Sequence, residues 1–309
     1  MGGSGGGGGW YRSPSATSEV EKAVSDATTS SEYEAEANAY LQDLLASYNS
    51  RDVVAIQKHI ETLQRAIEKE IDGETSTLFG GSVKKHTYVD GLSDVDVLMV
   101  VNESSLADRS PPAVLRYFAE RIKARLPDSE VKIGELAITV KYADGIELQL
   151  LPALRTQTGV RIASADGSGW SNVVRPQEFA KKLTDVNQAC GRKVVPVVKL
   201  FKGLQTALPA TSQVKGYHVE SLAIEAFKNY TGRQTFKDML LHFVRTAAQR
   251  VLSPVNDATG QSLHVDDYLG ATSSADRTRV SKALDRMANR LAAADSRASL
   301  SDLTNIFGE

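Results

Sequence analysis

The segment Asp94-Val95-Asp96-Val97-Leu98-Met99-Val100-Val101 constrains the fold more than any other. It is β-branched, alternates at first and then runs apolar, the pattern of a central strand. Carboxylates at i and i+2 of a strand point to the same face, so Asp94 and Asp96 can share one or two hard cations. Asp96 lies inside an otherwise apolar run, where an unpaired carboxylate is costly unless it meets a cation.

Eleven residues before that strand stands Gly80-Gly81-Ser82. A turn of this composition lets backbone N–H groups approach a phosphate chain, and the Ser82 hydroxyl adds a donor. Lys84, Lys85 and His86 follow as a small basic cluster, read as solvated.

The flanking segments alternate between helical and strand periods. Residues 1–30 are rich in Gly, Ser and Thr and read as a flexible N-terminus. From Ser31 the pattern turns helical, with Tyr40, Leu41, Leu44 and Leu45 on one stripe. A second helix, Val53 to Ile71, repeats apolar residues at Val54, Ile56, Ile60, Leu63 and Ile67. TSTLF (75–79) reads as a short strand or turn, and 111–126 as a helix stopped by Pro127-Asp128. Residues 135–143 and 146–151 read as two strands joined through Asp144-Gly145, a strong hairpin signal. Helices are predicted at 176–189, 192–207, 217–229, 234–251 and 275–295, with a long loop over 252–270. The C-terminal NIFGE reads as a frayed tail. The expected class is α+β, with a mixed sheet in residues 31–160 (N-terminal helices included) and an α-helical domain in 161–309 completing a cleft.

Bulk properties narrow the partners. The 309 residues carry a formal net charge of −2, which argues against a grip on long nucleic acid. Cys190 stands alone, so an internal disulfide is excluded; it reads as a small buried hydrophobe and fits a reducing cytoplasm. No apolar run is long enough to span a membrane.

FGGSVKKHTYVDGLSDVDVLMVV resembles the signature of the DNA-polymerase-β-like nucleotidyltransferases, and ELQLLPAL resembles their third-carboxylate strand. Within that superfamily the chain most resembles the cGAS/DncV-like nucleotidyltransferases (CD-NTases) and oligoadenylate synthetase. VVKLFKGL (197–204) resembles the helix whose lysines contact the triphosphate, GYHVESLAIEAF (216–227) the helix start whose aromatic stacks on a base, and VNDATG (255–260) a late Asp-Pro-Thr loop. The resemblance spans roughly residues 35–295 and implies a polymerase-β-like core that joins NTPs into a cyclic di- or trinucleotide second messenger, as in bacterial anti-phage (CBASS-type) signalling. It implies two Mg²⁺ or Mn²⁺ ions held by Asp94, Asp96 and a third acid, phosphates at Gly81 and Ser82, triphosphate contacts from Lys199 and Lys202, and base stacking on Tyr217. The implied partners are NTPs and regulatory or effector proteins of a defence operon, with no membrane and no requirement for long nucleic acid.

The sequence departs from the pattern at the third acid, where Gln149 stands. Glutamine can lend a carbonyl oxygen to a metal but carries no charge and cannot act as a general base. Glu147, two residues earlier on the same strand face and roughly 6.6 Å away, can supply the charge. Alternatively Gln149 was introduced to trap a complex, or the chain is a nucleotide-binding protein without catalysis. Transfer to an RNA end is a further alternative, opposed by the mild acidity.

Overall fold

The computed structural model describes residues 16–49, 53–68, 75–79, 95–101, 105–164, 169–259 and 264–308. The first elements in chain order are helices α1 (Ala16–Ser47) and α2 (Val53–Glu68) and strands β1 (Thr75–Phe79) and β2 (Val95–Val101). Helix α3 (Pro111–Arg125) leads into β3 (Glu130–Ile133), β4 (Ile138–Lys141), β5 (Glu147–Arg155) and β6 (Val160–Ile162). Helices α4 (Pro176–Ala189), α5 (Val194–Gln205), α6 (Gly216–Phe227), α7 (Phe236–Arg250), α8 (Ala275–Ser296) and α9 (Leu300–Phe307) follow.

The sheet order is β1-β2-β5-β4-β3, with β6 pairing the end of β5. Among the described residues only β2 and β5 run parallel and every other pair is antiparallel, so the sheet is mixed as expected. The predicted hairpin is present. Gly145 adopts φ 86°, the left-handed region that glycine enters without steric cost, and the Asp144 carboxylate accepts from the Ile146 N–H at 3.1 Å.

One face of the sheet is packed. Val97, Met99, Val101, Leu148 and Leu150 form a core with Ile56, Ile60, Leu63 and Ile67 of α2 and Val114, Leu115, Phe118 and Ile122 of α3. Val54 stands off that stripe and is 79% exposed, although it belongs to the predicted apolar set. The other face carries a smaller cluster of Leu98, Val100, Ala153 and Val160. The odd and even positions of β2 and β5 are thereby assigned to faces.

The helical half has its own core, built on Phe179, Val197, Phe201, Leu222, Phe227, Phe243 and Leu284, among others. Helix α1 joins this core rather than the sheet. Tyr33, Ala37, Leu41 and Leu45, spaced every four residues, are its buried stripe. Gly203 of α5 makes the close approach possible, because a Cβ there would lie 2.0 Å from the Tyr48 hydroxyl.

Three local expectations change. Helix α1 begins at Ala16, inside the stretch read as flexible; residues 1–15 lie outside the described residues. Strands β3 and β6 were not expected; each is short and exists through its pairing, β3 with β4 and β6 with β5. The C-terminal tail is instead helix α9, whose Leu303 and Ile306 bury into the helical core and whose first turn is capped by the Ser299 hydroxyl.

Candidate active site

The strand that dominated the sequence reading sits beside β5 in parallel register, with Asp96 paired to Gln149, Val97 to Leu150 and Leu98 to Leu151. Positions 96 and 149 therefore share a face, the one opposite the α2/α3 core. Glu147, two residues before Gln149, lies on that face as well, with Lys141 of β4 as its register partner. Both Glu147 and Gln149 are half-buried. Asp94, Gly81, Ser82 and the basic cluster Lys84, Lys85 and His86 lie outside the described residues, and Asp96 is described in its backbone alone. Among the described residues no group of three or more His, Cys, Asp or Glu is placed to hold a metal ion. The donor chemistry at positions 96, 147 and 149 is nonetheless all oxygen, two carboxylates and one amide carbonyl, which suits a hard divalent cation.

A second group of predicted residues meets at the start of α6. Lys202 of α5 is 7% exposed and its ammonium pairs with Glu220, itself 1% exposed, at 3.2 Å. A Cβ on Gly216, the first residue of α6, would lie 3.8 Å from the same Nζ, so Lys202 sits at the helix N-terminus. Lys199, one turn earlier on α5, donates to the Asn49 side-chain oxygen at the end of α1. Burial, and then the charge of Lys202, hold the Lys199 ammonium below the ordinary lysine range. Lys202 thus stands at a helix N-terminus, a place that favours anions, with its charge partly met by Glu220 and felt by Lys199.

Tyr217 follows in the first turn of α6. Its ring packs on Phe179 of α4 at a centroid distance of 4.4 Å and a tilt of 35°, yet the residue remains 40% exposed. Its hydroxyl donates to Asp257 Oδ1 at 3.2 Å. Burial, and then the negative charge of Asp257, push the phenol well above its ordinary pKa. The ring is thus packed on one side and exposed on the other.

Behind that helix start lies a polar network the sequence did not reveal. His218, Asp266 and Arg277 are fully buried. Arg277 Nη1 pairs with Asp266 Oδ2 at 2.6 Å, and the guanidinium also donates to the carbonyls of Gly270, Val251 and Ser253. The Tyr268 hydroxyl accepts from the Lys215 N–H at 3.1 Å and is hydrogen-bonded to His218 Nδ1 at 3.0 Å. His218 Nε2 lies 3.5 Å from Asp266 Oδ2. Burial drives the His218 pKa down to about 4; Asp266 opposes this and Arg277 adds to it. Asp266 also accepts from the Val255 N–H at 3.0 Å, which pins the loop carrying Asp257. Cys190 is buried as read, with its thiol toward the Phe227 carbonyl at 3.7 Å. Among the described residues no helix is long and apolar enough to cross a membrane.

Residues 34–187, about half of the chain, match the family described as Second Messenger Oligonucleotide or Dinucleotide Synthetase domain (SMODS). No curated protein matches the sequence. Among solved structures, Escherichia coli MS115-1 CdnC with ATP is similar at a TM-score of 0.66 and 16% identity, covering 82% of this chain and 91% of that one. The same protein in its complex with HORMA-deltaN gives a TM-score of 0.64 at 16% identity, covering 82% and 90%. Escherichia coli DncV in its 3'-deoxy GTP bound form gives 0.63 at 12% identity, covering 96% and 92%. With the family's sequence signature over about half its length and the family's fold over most of it, the chain belongs to the cGAS/DncV-like nucleotidyltransferases, the CD-NTases, and is itself a nucleotidyltransferase.

Proposed function

We propose that this enzyme joins NTPs into a cyclic di- or trinucleotide with release of pyrophosphate, as the second-messenger synthase of a CBASS-type anti-phage system. The observation that carries the reading is the register of β2 and β5, which sets Asp96 opposite Gln149 with Glu147 on the same face. In this reading Asp94, Asp96 and Glu147 hold two Mg²⁺ or Mn²⁺ ions, and Gln149 contributes a neutral oxygen. When bound, such ions lower the pKa of an attacking ribose hydroxyl and steady the leaving pyrophosphate. Gly81 and Ser82 hold the terminal phosphates, while Lys199 and Lys202 approach the triphosphate from α5. Tyr217 offers its exposed ring to a base. Positioning and electrostatic stabilisation then supply most of the acceleration.

The test incubates the purified chain with all four labelled NTPs and Mg²⁺ or Mn²⁺, without nucleic acid, beside an Asp94→Ala/Asp96→Ala control. A phosphatase-resistant small product absent from the control supports cyclic synthesis. Label that appears only on added RNA would overturn it in favour of terminal transfer.

A second reading is favoured by Gln149 itself: a nucleotide-binding protein without turnover. It predicts metal-dependent NTP binding with no product, and product on Gln149→Asp substitution. We also propose a regulatory protein partner, supported by the likeness to CdnC solved with HORMA-deltaN. Co-purification with proteins encoded beside the gene, lost on truncation of either partner, tests this.

A further inference from the structure

Tyr217 is the most exposed aromatic at the start of α6, and a ring that is to receive a base must keep one orientation while its outer face is empty. Two torsions must be held. Rotation about χ2 is blocked by Phe179, a 2% exposed ring lying against Tyr217 at 4.4 Å. The phenolic oxygen lies on the χ2 axis, so a bond at that oxygen does nothing for χ2 but fixes χ1 and the direction of the ring axis. The hydroxyl makes that bond to Asp257 Oδ1 at 3.2 Å, and the Thr259 side chain, itself bonded to Asp257, also bonds it.

Asp257 is built to be a fixed acceptor. It is 7% exposed, and its Oδ1 also accepts from the Thr259 N–H at 2.9 Å and the Thr259 hydroxyl at 2.8 Å. Its loop is tied down on both sides. Lys182 of α4 donates to the Ala258 carbonyl, and the Val255 N–H donates to Asp266, which is locked by Arg277. The Phe179 floor and the Lys182 tether come from the same helix, so α4 fixes the ring and the loop together.

We propose that Asp257 is a positioning residue for nucleobase recognition, holding Tyr217 through its hydroxyl so that the ring is already set before a nucleotide arrives. The inference rests on the reading of Tyr217 as the base platform. It adds an assignment to Asp257, forty residues further along the chain and joined to Tyr217 through its hydroxyl. Pre-setting a side chain lowers the ordering cost of binding, so the loss on removing Asp257 falls on affinity rather than on the chemical step.

The experiment compares binding of ATP, GTP, CTP and UTP with binding of inorganic tripolyphosphate, which has no base, by calorimetry in Mg²⁺. Asp257→Ala is expected to weaken the NTPs that bind the wild type by about tenfold, within the range set by base–aromatic stacking, and to leave tripolyphosphate unchanged. Tyr217→Phe keeps the ring and loses the hydroxyl, so it should reproduce that loss, and the double variant should be no worse than either single. Asp257→Asn retains an acceptor oxygen and should recover most of the affinity. Equal weakening of NTP and tripolyphosphate, or additive losses in the double variant, would overturn the positioning role. Unchanged NTP affinity in Asp257→Ala would also overturn it while leaving the nucleotidyltransferase reading intact. A wild type that binds tripolyphosphate but no NTP would overturn both.

Discussion

Asp96 lies directly opposite Gln149 across the parallel pair of β2 and β5. The position where the resemblance implies a third acid is in register with Asp96 and carries an amide. The nearest charge on the same strand face is Glu147, one β-step away and half-buried beside Lys141. Lys132 of β3 feels the charge of Glu147, though the neighbouring Glu130 is what mainly raises its pKa. Glu147 thus has cations on the edge side.

If Glu147 supplies the missing charge, Glu147→Gln lowers kcat by about 100-fold or more, the usual scale for removing an acid–base group. Gln149→Asp placed in that background restores part of the turnover. Steady-state product formation by the single and double variants measures this; unchanged kcat in Glu147→Gln removes Glu147 from the chemistry.

The Lys202–Glu220 pair is buried on both sides. Removing either charge leaves the other without that partner in a desolvated place, so Lys202→Met and Glu220→Leu should each cost about 3 kcal/mol. The double variant should cost less than the sum, because an apolar pair needs no compensation. Urea unfolding of all four proteins gives the coupling directly.

Acid should destabilise the chain through His218. Its folded pKa lies near 4, below the ordinary value of 6.5, so the unfolded chain binds a proton that the folded one refuses. No contribution appears above pH 6.5. As pH falls from there toward 4, stability drops, on the order of 2 kcal/mol by pH 4.5. Thermal melts of wild type and His218→Asn from pH 7.5 to 4.5 test the sign: the variant should show a flatter fall.

Alanine at position 203 sets helix propensity against packing. A helical Gly→Ala change by itself stabilises by up to about 1 kcal/mol. Here the new Cβ would meet Tyr48 at 2.0 Å from its hydroxyl and 2.6 Å from Cζ, so the ring must leave its seat between α1 and α5. Gly203→Ala should lower the melting temperature, and the same change in a Tyr48→Ala background should raise it. A rise in both backgrounds would show that Tyr48 moves aside at no cost.

The sequence by itself determined what depends on short-range pattern. The run from Val95 to Val101 could only be a buried strand, Asp144-Gly145 only a tight reversal, and the helices over 176–189 and 275–295 carry uninterrupted 3.6-residue stripes. That Glu147 and Gln149 share a face was legible for the same reason, since alternation along a strand fixes which side chains share a face, whereas Asp94 lies outside the described residues. Tertiary structure decided whatever needs two distant segments to be brought together. Nothing in the stripe of α1 says that it faces Phe201 and Leu291 rather than the sheet, because any apolar partner satisfies an apolar stripe. Residues 252–270 read as loop, and the described ones among them are mostly irregular, yet Asp266 and Arg277 lock the segment from the inside with a fully buried ion pair. A buried charge has no local signature: its sign looks solvated until the fold supplies a partner. The same holds for Asp257, ordinary in the sequence and fixed to Tyr217 only because α4, α6 and a late loop converge.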